Sequence, residues 1–137
     1  MIEMLKRLNH IAIAVPNLDI AVDNYKKAFG TVVTPKQELI KHGVTTAFIK
    51  LENTNIELLE PLGKDSPITK FLIKNPAGSV HHLCYEVNDI KLAILNLQDQ
   101  GYSILGNGIP RPGAHGKPVI FLHPKEFNGT LIELEET

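Results

Sequence analysis

Tryptophan is absent, cysteine occurs once, and aromatic residues make up only 6% of the chain. The single thiol, Cys84, excludes an internal disulfide. Set mid-strand among apolar neighbours, it is expected to be a buried, reduced thiol in a cytosol-like compartment, not a reactive nucleophile. No run of about 18 apolar residues occurs, so no membrane-spanning helix is expected. Lys6 and Arg7 precede the first strand without an apolar stretch, and a secretory signal is not expected. The expected location is the cytoplasm, or the mitochondrial matrix if a transit peptide has been removed. A net charge of −1 gives no electrostatic case for nucleic acid or an anionic membrane. Partners must be found by a local site.

What is present is ordinary in bulk and unusual in pattern. At 137 residues, with 43% hydrophobic and 21% charged residues, the chain has the size and composition of one soluble globular domain. The pattern is a repeat. Leu8-Asn9-His10-Ile11-Ala12-Ile13-Ala14-Val15-Pro16-Asn17-Leu18 and Val80-His81-His82-Leu83-Cys84-Tyr85-Glu86-Val87-Asn88-Asp89-Ile90 align so that His10 falls on His82, Val15 on Val87 and Leu18 on Ile90. Ala47-Phe48-Ile49 falls on Val119-Ile120-Phe121 at the same offset. Ile56-Glu57-Leu58 matches Ile132-Glu133-Leu134 after four extra residues in the second hairpin.

Residues 8–15 alternate, with Ile11, Ile13 and Val15 on one face and His10, Ala12 and Ala14 on the other. The branched face suits packing under a helix, and the small residues leave room beside the imidazole. Asp19 is a plausible N-cap for a helix from about Ile20 to Phe29, with an apolar stripe of Ala21, Val22, Tyr25, Ala28 and Phe29 and a stop at Gly30. Thr31 to Thr34, residues 44–51 and residues 55–60 read as strands, the last two joined by a turn at Glu52-Asn53-Thr54-Asn55. Ser66-Pro67 starts a linker helix over about 66–75. In the second half, Asp89 or Asn88 caps a helix with the stripe Ile90, Ala93, Ile94 and Leu97, ended by Gly101. Tyr102 to Leu105, Val119 to Leu122 and Thr130 to Glu135 are the expected strands, and residues 106–117 form a Gly/Pro-rich loop of the kind that is often functional. The expected fold is α+β: two tandem βαβββ modules, about 8–62 and 81–136, within one domain, forming an eight-stranded curved sheet around a metal site with the helices outside.

That arrangement collects His10, His82, Glu57 and Glu133 on the concave face. Taken singly, a strand histidine is commonly a satisfied core residue and an outer-strand glutamate is commonly solvated. Four of them at symmetry-related positions favour a shared ion, because burying an unpaired carboxylate costs several kcal/mol. Two imidazoles and two carboxylates suit Zn, Co, Ni or Mn and suit Ca poorly. Four ligands leave open positions on an octahedral ion for two substrate oxygens. His81 must point to the opposite side of the strand. His42, His115 and His123 lie outside the repeat, with His115 bordering the site and His123 a turn residue.

The chain resembles the vicinal oxygen chelate superfamily (glyoxalase/bleomycin-resistance-like proteins), whose members pair βαβββ modules around a metal. More narrowly, it resembles the methylmalonyl-CoA epimerase family. The resemblance is carried by Asn9-His10-Ile11-Ala12-Ile13-Ala14-Val15-Pro16, Glu57-Leu58-Leu59-Glu60-Pro61-Leu62-Gly63, Asp65-Ser66-Pro67-Ile68 and His81-His82-Leu83-Cys84. It continues through Gly113-Ala114-His115-Gly116-Lys117-Pro118-Val119, Phe121-Leu122-His123-Pro124-Lys125 and Leu131-Ile132-Glu133-Leu134-Glu135. The histidine positions mark the superfamily; the Gly-Ala-His-Gly-Lys-Pro loop and the Asp-Ser-Pro-Ile segment are specific to the epimerases.

The resemblance implies that His10, His82 and Glu133 are metal ligands and that Glu57 takes the place of a fourth, where some epimerases carry Gln. Some members place a catalytic carboxylate where this chain has Thr46. The implied reaction is epimerisation of a 2-methylmalonyl-CoA thioester by α-proton abstraction through a metal-stabilised enolate. Glu133 is the expected proton carrier on one face; Lys117, His115 or a water is the candidate on the other, and Lys117 could equally bind the malonyl carboxylate. The implied cofactor is a divalent ion (Co, Zn, Mn or Ni). The implied partner is a small-molecule CoA thioester, with no nucleic acid or membrane, and the expected assembly is a homodimer.

Two other classes compete. A lactoylglutathione lyase would use the same ligand types and accommodates Glu57, but leaves the epimerase-like loops unexplained. A non-enzymatic binding module on this fold generally dispenses with the metal ligands. An extradiol dioxygenase, with two His and one carboxylate on iron, leaves Glu57 without a role.

Overall fold

Alternating and branched segments form the strands, and capped periodic segments form the helices. The computed structural model describes residues 3–137. In chain order the elements are β1 (Leu8–Ala14), α1 (Leu18–Phe29), β2 (Gln37–Leu39), β3 (Val44–Lys50), β4 (Asn55–Pro61) and α2 (Pro67–Lys74). They continue with β5 (Ser79–Val87), α3 (Ile90–Asp99), β6 (Arg111–Pro112), β7 (Pro118–Leu122) and β8 (Leu131–Glu136). The protein is α+β, and the eight strands among the described residues hydrogen-bond in the order β2-β3-β4-β1-β5-β8-β7-β6. The chain divides into two compact units, Ile11–His81 and the residues up to His10 together with His82–Thr137.

In the Ile11–His81 unit, β2, β3 and β4 pair antiparallel, with Phe48 opposite Glu57 and Thr46 opposite Leu59. Helix α1 begins two residues earlier than the sequence suggests. Asn17 takes extended backbone angles and its side chain accepts a hydrogen bond from the Ile20 amide, so Asn17, not Asp19, is the N-cap. Gly30 closes the helix in the left-handed conformation, as expected. Leu18 is buried, and with the half-buried Ala21, Val22 and Tyr25 it packs on Ile13, Val15, Ala47, Ile49 and Leu58, whereas Ala28 is exposed. Phe29 is not part of this stripe either and is 73% exposed. The space beside Ala12 and Ala14 is filled within this unit by Leu59 and by Ile68, Phe71 and Leu72 of α2.

In the other unit, β5 runs parallel to β8, and β7 pairs antiparallel with both β8 and β6. The Asp89 side chain accepts from the Leu92 amide and starts α3, which buries Ile90, Ala93, Ile94 and Leu97 against Ile120, Leu122, Ile132 and Leu134. A ten-residue helix is marginal alone. Roughly 1.5–3 kcal/mol for each buried Ile or Leu side chain is what holds it.

Both units correct the sequence reading in the same way. The segments after the helices, Thr31–Thr34 and Tyr102–Leu105, make only isolated bridges, Val33 to Ile49 and Ile104 to Leu122. The regular edge pairing comes later, at β2 and at β6, which lies inside the stretch read as loop. The hairpin turn between β3 and β4 spans Leu51 to Thr54, closed by the Leu51 amide on the Thr54 carbonyl, with Asn55 already in the strand. The units also share a feature no motif announced. A carboxylate at the end of each unit's last strand caps the helix: Glu60 accepts from the Leu18 amide at 2.6 Å, and Glu136 from the Ile90 amide at 3.0 Å.

Gly78, in the Ile11–His81 unit, has φ +92, and a Cβ there would stand 2.6 Å from the Ala14 carbonyl oxygen. Gly78→Ala is expected to destabilise the fold by about 1–3 kcal/mol, measured as a lower denaturation midpoint. An unchanged midpoint would contradict this packing.

Candidate metal centre

Three buried side chains of one unit converge. His10 comes from β1, His82 from β5 and Glu133 from β8, each less than 10% exposed. The register explains the meeting. Glu133 stands opposite Cys84, so it shares a sheet face with Cys84 and, two residues back along β5, with His82. His10 Nε2 and His82 Nε2 are 3.4 Å apart, and each lies close to Glu133 Oε1, at 3.2 and 3.1 Å. The Phe121 ring meets the His82 ring edge-on at 5.7 Å and covers one side of it.

These distances suit a cation. Imidazole nitrogens and carboxylate oxygens at about 2.0–2.1 Å from one ion, with bond angles of 90–110°, stand about 2.9–3.4 Å from each other. Without an ion, the same triangle requires protons on the imidazoles to hold three lone-pair-bearing atoms so close. Burial pushes the Glu133 carboxyl up, but hydrogen bonds from His10 and then His82, together with their charge, outweigh it and hold the group well below the usual carboxylate range. Any stability contributed by that ionised carboxylate is present above the ordinary carboxyl range and is lost as pH falls through the depressed value.

The environment of His10 extends outward through residues that sequence reasoning did not single out. His10 Nδ1 lies 2.7 Å from Asn9 Oδ1. The Asn9 amide nitrogen donates to Glu86 Oε2 at 2.8 Å and to Glu135 Oε2 at 3.1 Å. Glu135 Oε1 is 3.1 Å from His115 Nδ1, and the His115 ring lies 6.3 Å from that of His10. The available signal was the spacing of Glu133 and Glu135, two acids at i and i+2 on one face of an apolar strand; both are buried.

The other expected residues are placed as follows. Lys117 is exposed in the loop before β7, where its carbonyl accepts from the Gly113 amide at 2.9 Å. A Cβ on Gly113 would meet Val119 Cγ1 at 2.7 Å and lie 3.7 Å from Glu133 Oε2, so a glycine lets this loop run close beside the carboxylate. Glu57 belongs to the Ile11–His81 unit, where it is buried and accepts from the Thr46 hydroxyl at 2.8 Å. His81, in that same unit, meets the Phe71 ring at 4.9 Å. His123 accepts from the Lys125 amide in a turn, and Cys84 is buried.

Comparison with known proteins was made against this geometry. Residues 9–121 match the family model described as the Glyoxalase/Bleomycin resistance protein/Dioxygenase superfamily. The ethylmalonyl-CoA/methylmalonyl-CoA epimerase of Cereibacter sphaeroides is 57% identical over 97% of this chain and 99% of its own length. The mitochondrial methylmalonyl-CoA epimerase of Homo sapiens is 51% identical over 96% of this chain and 74% of its own. Among solved structures, a Streptomyces coelicolor methylmalonyl-CoA epimerase variant in complex with 2-nitronate-propionyl-CoA superposes with a TM-score of 0.89 at 34% identity, covering 97% of this chain and 95% of that one. Glycine-assisted loop, histidine pair and buried carboxylate thus sit in a chain that belongs to the glyoxalase/bleomycin resistance protein/dioxygenase superfamily and, within it, to the methylmalonyl-CoA epimerase family.

Proposed function

We propose that this protein epimerises methylmalonyl-CoA by removing the proton at the α-carbon and returning one to the opposite face. The observation that carries the reading is 57% identity, across 97% of the chain, to an enzyme named for this reaction. That relative is named for ethylmalonyl-CoA as well, so the ethyl-branched thioester is the second substrate to assay. The lyase and binding-module alternatives are not favoured, because curated relatives at 50–57% identity bear the epimerase name.

His10, His82 and Glu133 are the proposed metal ligands, with Glu57 as the fourth. The donor set suits Co, Zn, Mn or Ni. Bound there, a divalent ion supplies Lewis acidity to the thioester and carboxylate oxygens of the substrate. Glu133 is the proposed acceptor of the α-proton on one face. Its Oε1 is engaged with the two imidazoles, leaving Oε2, beside the Gly113 backbone, as the proposed proton-carrying atom. On the other face, His115 is the proposed partner, its ring held at Nδ1 by Glu135. Lys117, exposed in the same loop, is proposed to bind the malonyl carboxylate.

Among the described residues no helix is long and apolar enough to cross a membrane. A bacterial and a mitochondrial relative support a cytoplasmic or matrix location. A homodimer is the proposed assembly.

In deuterated water with metal supplied, a single methylmalonyl-CoA epimer is expected to racemise and to gain deuterium at the α-carbon. Glu133→Gln should lower the exchange rate by roughly 10²-fold or more, and Glu57→Gln by less. Turnover of methylglyoxal with glutathione without α-exchange would reject the assignment, and equally mild effects of the two variants would remove Glu133 from proton transfer. Separately, Co²⁺ or Zn²⁺ at about a hundredfold over Kd should stabilise the protein by about 2.7 kcal/mol, read as a higher Tm. His82→Ala should abolish that rise. A Tm rise retained in His82→Ala would place the ion elsewhere.

A further inference from the structure

We infer that Asn9 is a positioning residue that fixes the tautomer of His10 and so aims the Nε2 lone pair at the metal position. This rests on the proposal that His10 is a ligand.

The argument starts from two carboxylates. Glu86 and Glu135 are register partners on the parallel strands β5 and β8, so like charges stand side by side on one sheet face. Asn9 lies between them and its amide nitrogen reaches both, at 2.8 and 3.1 Å. An ionised carboxylate only accepts, so both hydrogens of the Asn9 amide are committed to Glu86 and Glu135. The amide cannot flip without turning its oxygen onto two anions. Its Oδ1 is therefore held toward His10, 2.7 Å from Nδ1. An amide oxygen only accepts, so the proton must sit on Nδ1 of the imidazole. In the neutral ring that leaves Nε2 unprotonated, and Nε2 is the atom aimed at His82 and Glu133.

The chain of constraint is thus Glu86 and Glu135, then the Asn9 amide, then His10 Nδ1–H, then the Nε2 lone pair. Glu135 also holds His115 Nδ1. The anion that orients Asn9 therefore anchors a residue of the loop that passes beside Glu133.

A residue that merely braces the sheet would affect stability alone. A positioning residue must also change the tautomer and the ion affinity. Nitrogen-15 spectra of the unmodified, metal-free protein above pH 7 are expected to show a proton on His10 Nδ1, whether or not Nε2 carries one toward Glu133, and the same Nδ1–H with an unprotonated Nε2 once Zn²⁺ is added; an unprotonated Nδ1 would overturn the inference without any variant. Asn9→Ala is expected to mix the tautomers and weaken Zn²⁺ binding about 10–100-fold. Asn9→Asp combined with Glu86→Gln and Glu135→Gln swaps donor and acceptor at both contacts, with the two new amides donating to the new carboxylate while an aspartate oxygen still faces His10. That combination should recover most of the lost affinity and the Nδ1–H form. A folded Asn9→Ala protein with unmodified Zn²⁺ affinity and tautomer would overturn the inference. If the unmodified protein itself bound no Zn²⁺, the ligand assignment would fail first, and the tautomer measurement would still decide the role of Asn9.

Discussion

Three lone-pair-bearing atoms, His10 Nε2, His82 Nε2 and Glu133 Oε1, are held within 3.1–3.4 Å of one another and nearly sealed from water. Such an arrangement is costly. A buried carboxylate without compensation loses several kcal/mol of hydration, and two imidazoles facing it must supply protons or share an ion. The surrounding structure bears that cost. The parallel register of β5 and β8 places Glu133 on the face of His82, Phe121 covers the His82 ring, and a glycine lets the 113–117 loop pass beside the carboxylate.

Duplication is the economical way to reach such a site. Each sequence repeat offers one strand histidine and one last-strand acid, His10 with Glu57 and His82 with Glu133, and β1 carries His10 into the compact unit that holds His82 and Glu133. The capping carboxylates Glu60 and Glu136, each on the first amide of its own unit's helix, show that the copies agree in structure where their sequences have drifted. Drift has separated the acids. Glu133 is paired with histidines, whereas Glu57 accepts from the hydroxyl of Thr46. The resemblance implies that some members of the family place a carboxylate at the Thr46 position. A hydroxyl there donates to the neighbouring acid and carries no charge of its own, so the two units are expected to contribute unequally to proton transfer.

Much of this was legible in the sequence because the signals were periodic or repeated. The α3 stripe of Ile90, Ala93, Ile94 and Leu97 is buried in full, and the repeated strand histidines pointed to the cluster. The failures have local causes. Asp19 looked like a cap because acids favour first turns, but Asn17 has the extended backbone that a cap needs. The edge strands were placed too early because β-branched residues at Thr31–Thr34 suit a strand by propensity, while regular pairing at an edge depends on its neighbour's register. Asn9, Glu86 and Glu135 were overlooked because nothing in a single sequence tells which polar side chains are turned onto one another across strands.

X-ray absorption of the cobalt-loaded protein tests the central claim most directly. The account predicts two imidazole ligands per cobalt in the unmodified protein and one in His82→Ala. A cobalt ion surrounded only by water and oxygen ligands, with no imidazole scattering, would contradict it.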